Sequence, residues 1–564
     1  MRRLLLFVVP LLACGTASSG PGDAASGVTA SSGSGGSAAS SAVGVTSTSS
    51  TAMAGAGGTD TTSSTGGGAP VSVRYDQVRI KAVHNAYQRF EGLFDQLAFH
   101  RARALELDLH PTKAKWPEVA QDWFVYHDAN DGETSCHRLS DCLDAIAAFD
   151  RAVPEHEVIT LVLDLKADLA GPSHAPSDLD ARLAQHLDAD TLFTPADLAA
   201  TCPTATTLRD AVKGACGWPQ LDALRGKVIV ITTGASACAT GGPMGYVGGG
   251  ATALTRQAFA APEITSSCGL SSLEAQSGAV FANMSYALRD NAVLALAAGL
   301  VSRVWSANDA GAWDALVAAK TNLLATDKVN VEQDPWARTH AMGGWPFACM
   351  TGECDPPASE IAPVVRLEVR SGDIWGKSDD FFFVSKKVDP AERSVRGFVS
   401  VASSHVDEWA KGCLMARASL AADAAYAAVC RPADRHPIRF QVRATKGGDS
   451  TTTEIAIPPP DTVDAVDASF VRLDVAAAGK TATAYGSVDG LTWVKLGSRS
   501  FAEPLVHQGL AASGHGSAEP VRFLFGDVRE GPANPSSPLV LADFPSQLAV
   551  GDCSVHAAVD GHPD

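Results

Sequence analysis

Positive charge is scarce in this chain: 44 Lys and Arg stand against 62 Asp and Glu in 564 residues, a formal net charge of −18. A deficit of that size argues against nonspecific binding to nucleic acid, which needs clustered cations. Long apolar runs are missing too. The one candidate, Leu4–Ala13, is half the roughly 20 residues of a membrane-spanning helix, so the mature chain is expected to have no transmembrane helix. No CxxC-like cluster with further ligands at matching spacing occurs, which argues against a zinc site. No repeat of fixed period is evident. Residues 15–69 contain no aromatic residue and no Lys or Arg, being almost all Gly, Ser, Thr and Ala. Nothing there offsets the entropy of ordering, and the stretch reads as a flexible tether. What the chain does have is apolar material, 46% of its residues, enough for sizeable cores in about three or four domains.

Met1-Arg2-Arg3 followed by an apolar run has the layout of an export signal. Its end, Leu11-Leu12-Ala13-Cys14, resembles a bacterial lipobox, which implies a lipidated Cys14. The expected location is outside the cytoplasm, either lipid-anchored to the envelope or secreted. Ten further cysteines fall in close pairs: Cys136/Cys142, Cys202/Cys216, Cys238/Cys268, Cys349/Cys354 and Cys413/Cys430. An exported compartment permits disulfides, but spacing does not fix connectivity, and Cys553 has no obvious partner.

Between about residues 76 and 330, short apolar runs alternate with segments of helical period. Strands are expected at Val78–Val83, Ala104–Leu109, Trp123–Tyr126, Val158–Leu165, Val228–Thr232, Ala279–Ala282, Val301–Trp305 and Leu323–Thr326. Between them, sets such as Leu139, Leu143, Ile146, Ala147 and Phe149, or Val293, Leu294, Leu296 and Ala297, share one helix face. Eight strands alternating with helices over such a length predict a (β/α)₈ TIM-type barrel in the α/β class. After the connector the pattern becomes strands without long helices, with Asp489-Gly490 as a hairpin signal. That predicts an all-β sandwich of jelly-roll type. The division is thus 1–14 signal and lipobox, 15–70 tether, 71–345 barrel, 346–363 connector, 364–530 sandwich, and 531–564 a tail without assignment.

In such a barrel, chemistry sits where strands end at the C-terminal face. His84 and Asn85 follow the first expected strand, Glu106 and Asp108 end the second, His127 follows the third, and Asp164 with Lys166 ends the fourth. Glu106 and Asp108 are two apart, so they share a strand face. Clustered carboxylates repel, and a hard cation relieves this; Asn85 and Asp164 would complete an oxygen cage suited to Ca²⁺. A cation with a histidine on either side suits displacement at phosphorus, with His127 protonating the leaving oxygen. Singly, each residue has a plainer reading, as a loop histidine or a solvated carboxylate; their coincidence at strand ends favours the site. Asp327, after the eighth strand, either closes the rim or caps a turn, and His100, His110, His137, His156 and His340 read as structural or exposed.

His84-Asn85-Ala86-Tyr87, Leu105-Glu106-Leu107-Asp108, Tyr126-His127-Asp128, Pro154-Glu155-His156, Leu163-Asp164-Leu165-Lys166, Gly217-Trp218-Pro219 and Thr326-Asp327 occur in that order. Together they resemble the bacterial calcium-dependent phosphoinositide phospholipase C family over about residues 76–330. The resemblance implies His84 as the histidine working at the phosphate and His127 as general acid. It also implies Asn85, Glu106, Asp108 and Asp164 as Ca²⁺ ligands, Lys166 as a phosphate contact, and a role for Glu106 in taking the proton of the inositol 2-hydroxyl. The implied substrate is a phospholipid or glycosylphosphatidylinositol at a membrane surface. Ala86 stands where Ser or Thr is common, Asp164 where Glu is frequent, and Val304-Trp305 follow Arg303 where a second basic residue is expected; these departures bear on the head group.

Residues 364–530 resemble the concanavalin-like lectin/glucanase sandwich through Asp373-Ile374-Trp375-Gly376, Phe381-Phe382-Phe383, Leu414-Met415-Ala416-Arg417 and Asp489-Gly490-Leu491-Thr492-Trp493. A glycan is the candidate partner of that domain, since exposed aromatic rings stack on sugars. Trp375 and Trp493 read equally well as core or corner residues, so no sugar site is assigned. Two other functions compete: glycerophosphodiester phosphodiesterase chemistry, disfavoured because Asn85 rather than Arg-Gly follows His84, and a non-enzymatic, lipid-anchored glycan-binding protein.

Overall fold

The computed structural model describes residues 73–559 except 99, 115–116, 129–133, 214–215, 249, 331–332, 340–346, 350–364, 371, 402–405, 434–436, 455–469, 488–489, 491, 518, 532–536, 539–545 and 551–554. The expected signal, Cys14, the tether, His340, Cys354, Asp489 and Cys553 lie outside the described residues.

The first domain is built on β1 (Val78–Val83), β2 (Ala104–His110), β3 (Phe124–Val125), β4 (Ile159–Leu165), β5 (Val228–Thr233), β6 (Phe259–Ala260), β7 (Glu263–Ile264), β8 (Phe281–Ser285), β9 (Val301–Trp305) and β10 (Leu323–Thr326). The ladder order is β6-β5-β4-β2-β1-β10-β9-β8-β7. Every neighbouring pair along it is parallel. Single parallel bridges, Ala260↔Ala279 and Ser236↔Glu263, carry the pairing round between β6 and β7. This is the expected TIM-type barrel. Strands covered on both faces should be apolar throughout rather than alternating, and Val228–Thr233 is buried at every position.

Two strand expectations are corrected. Trp123–Tyr126 is not a parallel stave: only Phe124–Val125 is extended, and it lies antiparallel on the end of β2, Leu109 opposite Val125 and His110 opposite Phe124. The described residues between 111 and 123 contain no helix, and a parallel neighbour needs a crossover of that kind. The true neighbour of β2 is β4, in a register that sets Asp108 beside Asp164. The stave that was missed is β6 with β7, interrupted at Pro262, whose missing N–H breaks a ladder and leaves pieces too short to show a period. One helix face is also reversed. The helix Asn291–Ala297 turns Ala292 and Ala295 inward and leaves Val293 and Leu294 exposed. The helix Leu139–Ala152, by contrast, buries Leu139, Leu143, Ile146, Ala147 and Phe149 as its spacing predicts.

After β11 (Phe347–Cys349), which pairs antiparallel with β1, the chain forms two antiparallel sheets. One contains β12 (Val365–Val369), β14 (Arg393–Val401), β19 (Phe470–Ala476), β20 (Thr481–Ser487), β21 (Val494–Ser500), β23 (Val521–Gly531), β24 (Ser537–Pro538) and β26 (Val555–Val559). The other contains β13 (Phe381–Lys387), β15 (Lys411–Arg417), β16 (Tyr426–Pro432), β17 (Arg439–Arg443), β18 (Ser450–Glu454), β22 (His507–Ser513) and β25 (Ser546–Val550). The segment after residue 531, unassigned from the sequence, supplies strands to both. Alternate residues of the two sheets, among them Val399, Leu414, Val429, Phe440, Val471 and Phe523, form a shared core.

Barrel and sandwich share apolar packing as well. Phe398, Phe470 and Leu524 of the sandwich belong to the barrel's core cluster, where Phe398 stacks on Phe94 at 4.1 Å between ring centroids. Disulfides join Cys136–Cys142, Cys202–Cys216, Cys238–Cys268 and Cys413–Cys430.

Candidate active site

At the end of β1 the chain turns through Asn85 with φ 48° and ψ 56°, a left-handed conformation that Asn tolerates better than most residues. The turn aims the Asn85 backbone N–H at Glu106 on the neighbouring strand, donating to Oε2 at 3.0 Å. His84, just before it, is held on its other side: Nδ1 lies 2.9 Å from Asp327 Oδ1, and Nε2 lies 3.7 Å from Glu106 Oε2. Asp327 follows β10, the other neighbour of β1, so adjacent staves grip one imidazole between two carboxylates. The Trp305 indole lies nearly parallel to the ring, at 9° and 6.2 Å. Asp327 also accepts from Asn308 Nδ2 at 2.5 Å and pairs with Arg89 at 3.5 Å.

Glu106 is buried and anchored from behind. Arg303 on β9 places Nη2 2.8 Å from Glu106 Oε1, and its Nη1 donates to Asn283 Oδ1 at 2.9 Å. Asn283 in turn donates to Thr233 Oγ1 at 2.8 Å. Burial alone would raise the Glu106 pKa; Arg303, then His84 and the Asn85 N–H, outweigh it and hold this carboxyl below its ordinary value. Asp108 has the opposite balance. Burial, then the charges of Glu106 and Asp164, push its pKa up to about 6. The Lys166 ammonium stands 3.0 Å from Asp108 Oδ2 and 2.6 Å from Asp164 Oδ2. Those two acids hold it well above its ordinary value although burial works against it. Gly234, at φ +111°, makes room beside them: a Cβ there would lie 2.7 Å from Asp164 Oδ1 and 2.3 Å from the Leu165 carbonyl oxygen.

The residues present fit a calcium ion. Glu106, Asp108 and Asp164 each offer an oxygen within 4.8 Å of the others, and ligands 2.3–2.6 Å from one Ca²⁺ can be no more than about 5 Å apart. The Asp108 oxygens and Asp164 Oδ1 are buried without a well-formed hydrogen bond, so carboxylate charge there goes unanswered except by Lys166. The ammonium acts as a stand-in cation. Asn85 adjoins this group through its link to Glu106 and has its Oδ1 3.4 Å from the Tyr87 hydroxyl.

Of the residues singled out from sequence, the structure therefore brings together His84, Asn85, Glu106, Asp108, Asp164 and Lys166. His127 lies just past β3, exposed, and hydrogen-bonds to no described residue. Its charge is near enough to contribute to lowering the His110 pKa, to about 4, behind burial and Lys166. His110 stacks on Tyr126 at 3.8 Å, a packing role. Arg303, Asn283 and Trp305 were not among the expected site residues. Arg303 did carry a signal, being the one charged residue within an apolar run; Asn283 carried none, because its strand was expected to end at Ala282.

Residues 125–279 match the family described as phosphoinositide phospholipase C, Ca²⁺-dependent. Among solved structures, the calcium-dependent phosphoinositol-specific phospholipase C of a Gram-negative Pseudomonas species is 24% identical, covering 49% of this chain and 96% of its own, with a TM-score of 0.40. The Ca²⁺-dependent phosphatidylinositol-specific enzyme of Streptomyces antibioticus is 20% identical, with coverage of 46% and 97% and a TM-score of 0.38. No curated protein matches. The strand-end acids and their oxygen-rich cage are in keeping with the match of residues 125–279 to the Ca²⁺-dependent phosphoinositide phospholipase C family.

Proposed function

We propose that the barrel cleaves the phosphodiester of a phosphatidylinositol or glycosylphosphatidylinositol by attack of the neighbouring inositol hydroxyl. The observation that supports this most is His84, fixed between Asp327 and Glu106 beside three clustered carboxylates. In this reading the inositol 2-hydroxyl oxygen forms a bond to phosphorus and gives its proton to Glu106. Asp327 accepts from the Nδ1–H of His84, which leaves Nε2, on the Glu106 side, as the ring nitrogen that works at the phosphate. The bond from phosphorus to the glycerol oxygen breaks, and His127 supplies the proton that this oxygen takes. The products are a cyclic inositol phosphate and a diacylglycerol. Calcium held by Asn85, Glu106, Asp108 and Asp164 would supply charge neutralisation at the phosphoryl oxygens and lower the pKa of the attacking hydroxyl. Lys166 adds a fixed positive charge for the phosphate, and Arg303 keeps Glu106 in place.

No helix among the described residues is long and apolar enough to cross a membrane. A lipid on Cys14 would bring the barrel to a bilayer surface, with the Gly/Ser/Thr/Ala stretch as the tether. The test is phosphorus NMR of the full-length protein acting on phosphatidylinositol vesicles with Ca²⁺ or chelator. A cyclic inositol phosphate that appears only with Ca²⁺ supports the reading. Glycerol 3-phosphate from glycerophosphodiesters, with no inositol product, would overturn it.

A further inference from the structure

The outer face of the sandwich carries a cluster of arginines that follows from the register of one sheet. Arg396 of β14 stands opposite Arg472 of β19 on one side and opposite Arg529 of β23 on the other. Their chain neighbours Val395, Leu473 and Val528 belong to the sandwich core, so strand alternation turns the three arginines outward together. Like charges directly opposite on neighbouring strands repel. In a chain so short of cations, three abreast is an arrangement that needs a cause. A fourth arrives from the barrel. Arg151, at the end of the helix Leu139–Ala152, lies 4.0 Å from Asp527 Oδ2 and 5.9 Å from the centre of the Phe470 ring.

The carboxylates nearby do not balance this charge. Asp474 accepts from Arg472 Nε at 2.8 Å and Nη2 at 2.7 Å. Asp527 accepts from Arg529 Nε at 2.6 Å and is shared with Arg151. Among the described residues no carboxylate pairs with Arg396: its Nε is buried without a hydrogen bond, and Nη1 reaches the Gly490 carbonyl oxygen at 3.4 Å. Burial first, and then the charges of Arg529, Arg151 and Arg472 against the pull of Asp527, lower the Arg396 pKa. Four guanidiniums therefore face two carboxylates, an excess of two positive charges among the described residues. Asp527 is also the deeper partner, its side chain 8% exposed against 24% for Arg529 and 33% for Arg151. The cationic groups, rather than this acid, meet the solvent.

A phosphomonoester carries about −1.5 to −2 charge at pH 7 and three strong acceptor oxygens. That charge matches the excess, and planar guanidinium forks suit its oxygens. A carboxylate, with a single charge, would leave half of the excess unanswered. The place is separate from the catalytic mouth. The helix that carries Arg151 returns the chain to the start of β4, whereas His84 and the clustered acids lie at the opposite strand ends. The anion that fits here is therefore not the scissile phosphodiester, and it would touch barrel and sandwich at once.

We infer that Arg151, Arg396, Arg472 and Arg529 form a binding site for a phosphate dianion, free or borne on a monoester. The inference is independent of the barrel's chemistry. It is tested on the full-length protein by equilibrium dialysis with radiolabelled inorganic phosphate, in chelator and at constant ionic strength, beside thermal melts. Acetate is the singly charged comparison. The expected result is saturable phosphate binding with a phosphate-dependent rise in Tm. Arg396→Gln and Arg151→Gln should each weaken binding about tenfold or more, while Lys166→Met, which removes the cation of the catalytic mouth, should leave it unchanged. Without phosphate, Arg396→Gln should keep or raise the Tm, because it relieves repulsion. Competition by glycerol 3-phosphate would identify a free ligand, and competition by phosphatidic acid vesicles alone a lipid-borne one; either supports the site. No saturable binding, binding no tighter than that of acetate, or binding lost in Lys166→Met but kept in both arginine variants would overturn the inference. So would a lowered Tm in Arg396→Gln with phosphate binding unchanged, which would make Arg396 a structural group.

Discussion

The contact between His84 and Asp327 gives the sharpest prediction. Asp327→Asn keeps the size of the side chain but removes its charge and, with it, the acceptor pair that sets which imidazole nitrogen carries the proton. In fully buried His–Asp pairs this change costs about 10⁴ in kcat. Asp327 is different, because its side chain is 30% exposed and shared with Asn308 and Arg89. Two charges about 4 Å apart interact by about 4 kcal/mol at an effective dielectric of 20 and about 1 in water. A site at the rim lies between, at about 2–3 kcal/mol, which converts to a 30- to 150-fold loss of kcat. KM and the half-saturating Ca²⁺ concentration should stay within about threefold, because Asp327 contacts none of the clustered acids. The assay is initial-rate release of cyclic inositol phosphate from mixed micelles at several Ca²⁺ concentrations. A kcat within threefold of the parent would refute the reasoning, as would a loss that extra Ca²⁺ restores.

Other outcomes follow from the same geometry. His127→Ala should lower cleavage of the natural lipid by about 10²- to 10⁴-fold yet act nearly normally on an analogue with a p-nitrophenolate leaving group, which needs no proton; equal losses on both would remove His127 as the acid. Asp108→Asn, measured by calorimetric Ca²⁺ titration, should weaken binding at least tenfold, and unchanged affinity would take Asp108 out of the cage. Glu157 is buried between Arg101 at 3.1 Å and Arg103 at 2.8 Å, which hold it far below the carboxylate range although burial works against them. Its stabilisation is complete above the unfolded pKa of about 4.3 and declines as pH falls toward the folded value. Glu157→Gln should therefore cost about 3–5 kcal/mol at pH 7, by urea unfolding, with a gap that narrows in acid; a gap equal at pH 3 and pH 7 would contradict this. Gly526→Ala places a Cβ 2.4 Å from Phe94 Cζ and should destabilise the protein by about 1–3 kcal/mol, read as a lowered Tm; an unchanged Tm would mean the ring moves freely.

The legible parts of the site were those written in strand alternation. Glu106 and Asp108 are two apart on a continuous apolar strand, and Asp164 ends another, so their convergence followed from the barrel alone. His84 and Asn85 were found because β1 ends so abruptly at the polar pair. Less legible were groups whose meaning depends on a partner far along the chain. Arg303 reads as an anomaly until Glu106 lies opposite, and Asp327 had two equal readings until the His84 ring was seen to choose one. The misread third strand had the apolar composition of a stave but no helix before it to carry the chain across. The split β6–β7 stave shows the reverse failure, real pairing with too few residues to show a period.

The Phe94–Phe398 stack has a consequence for how the chain can be handled. With Phe470 and Leu524 it makes one seam of oil common to both halves, so a cut between them would leave sticky aromatic surface on each fragment. Neither piece is a natural module for expression by itself, and on heating the two should melt together.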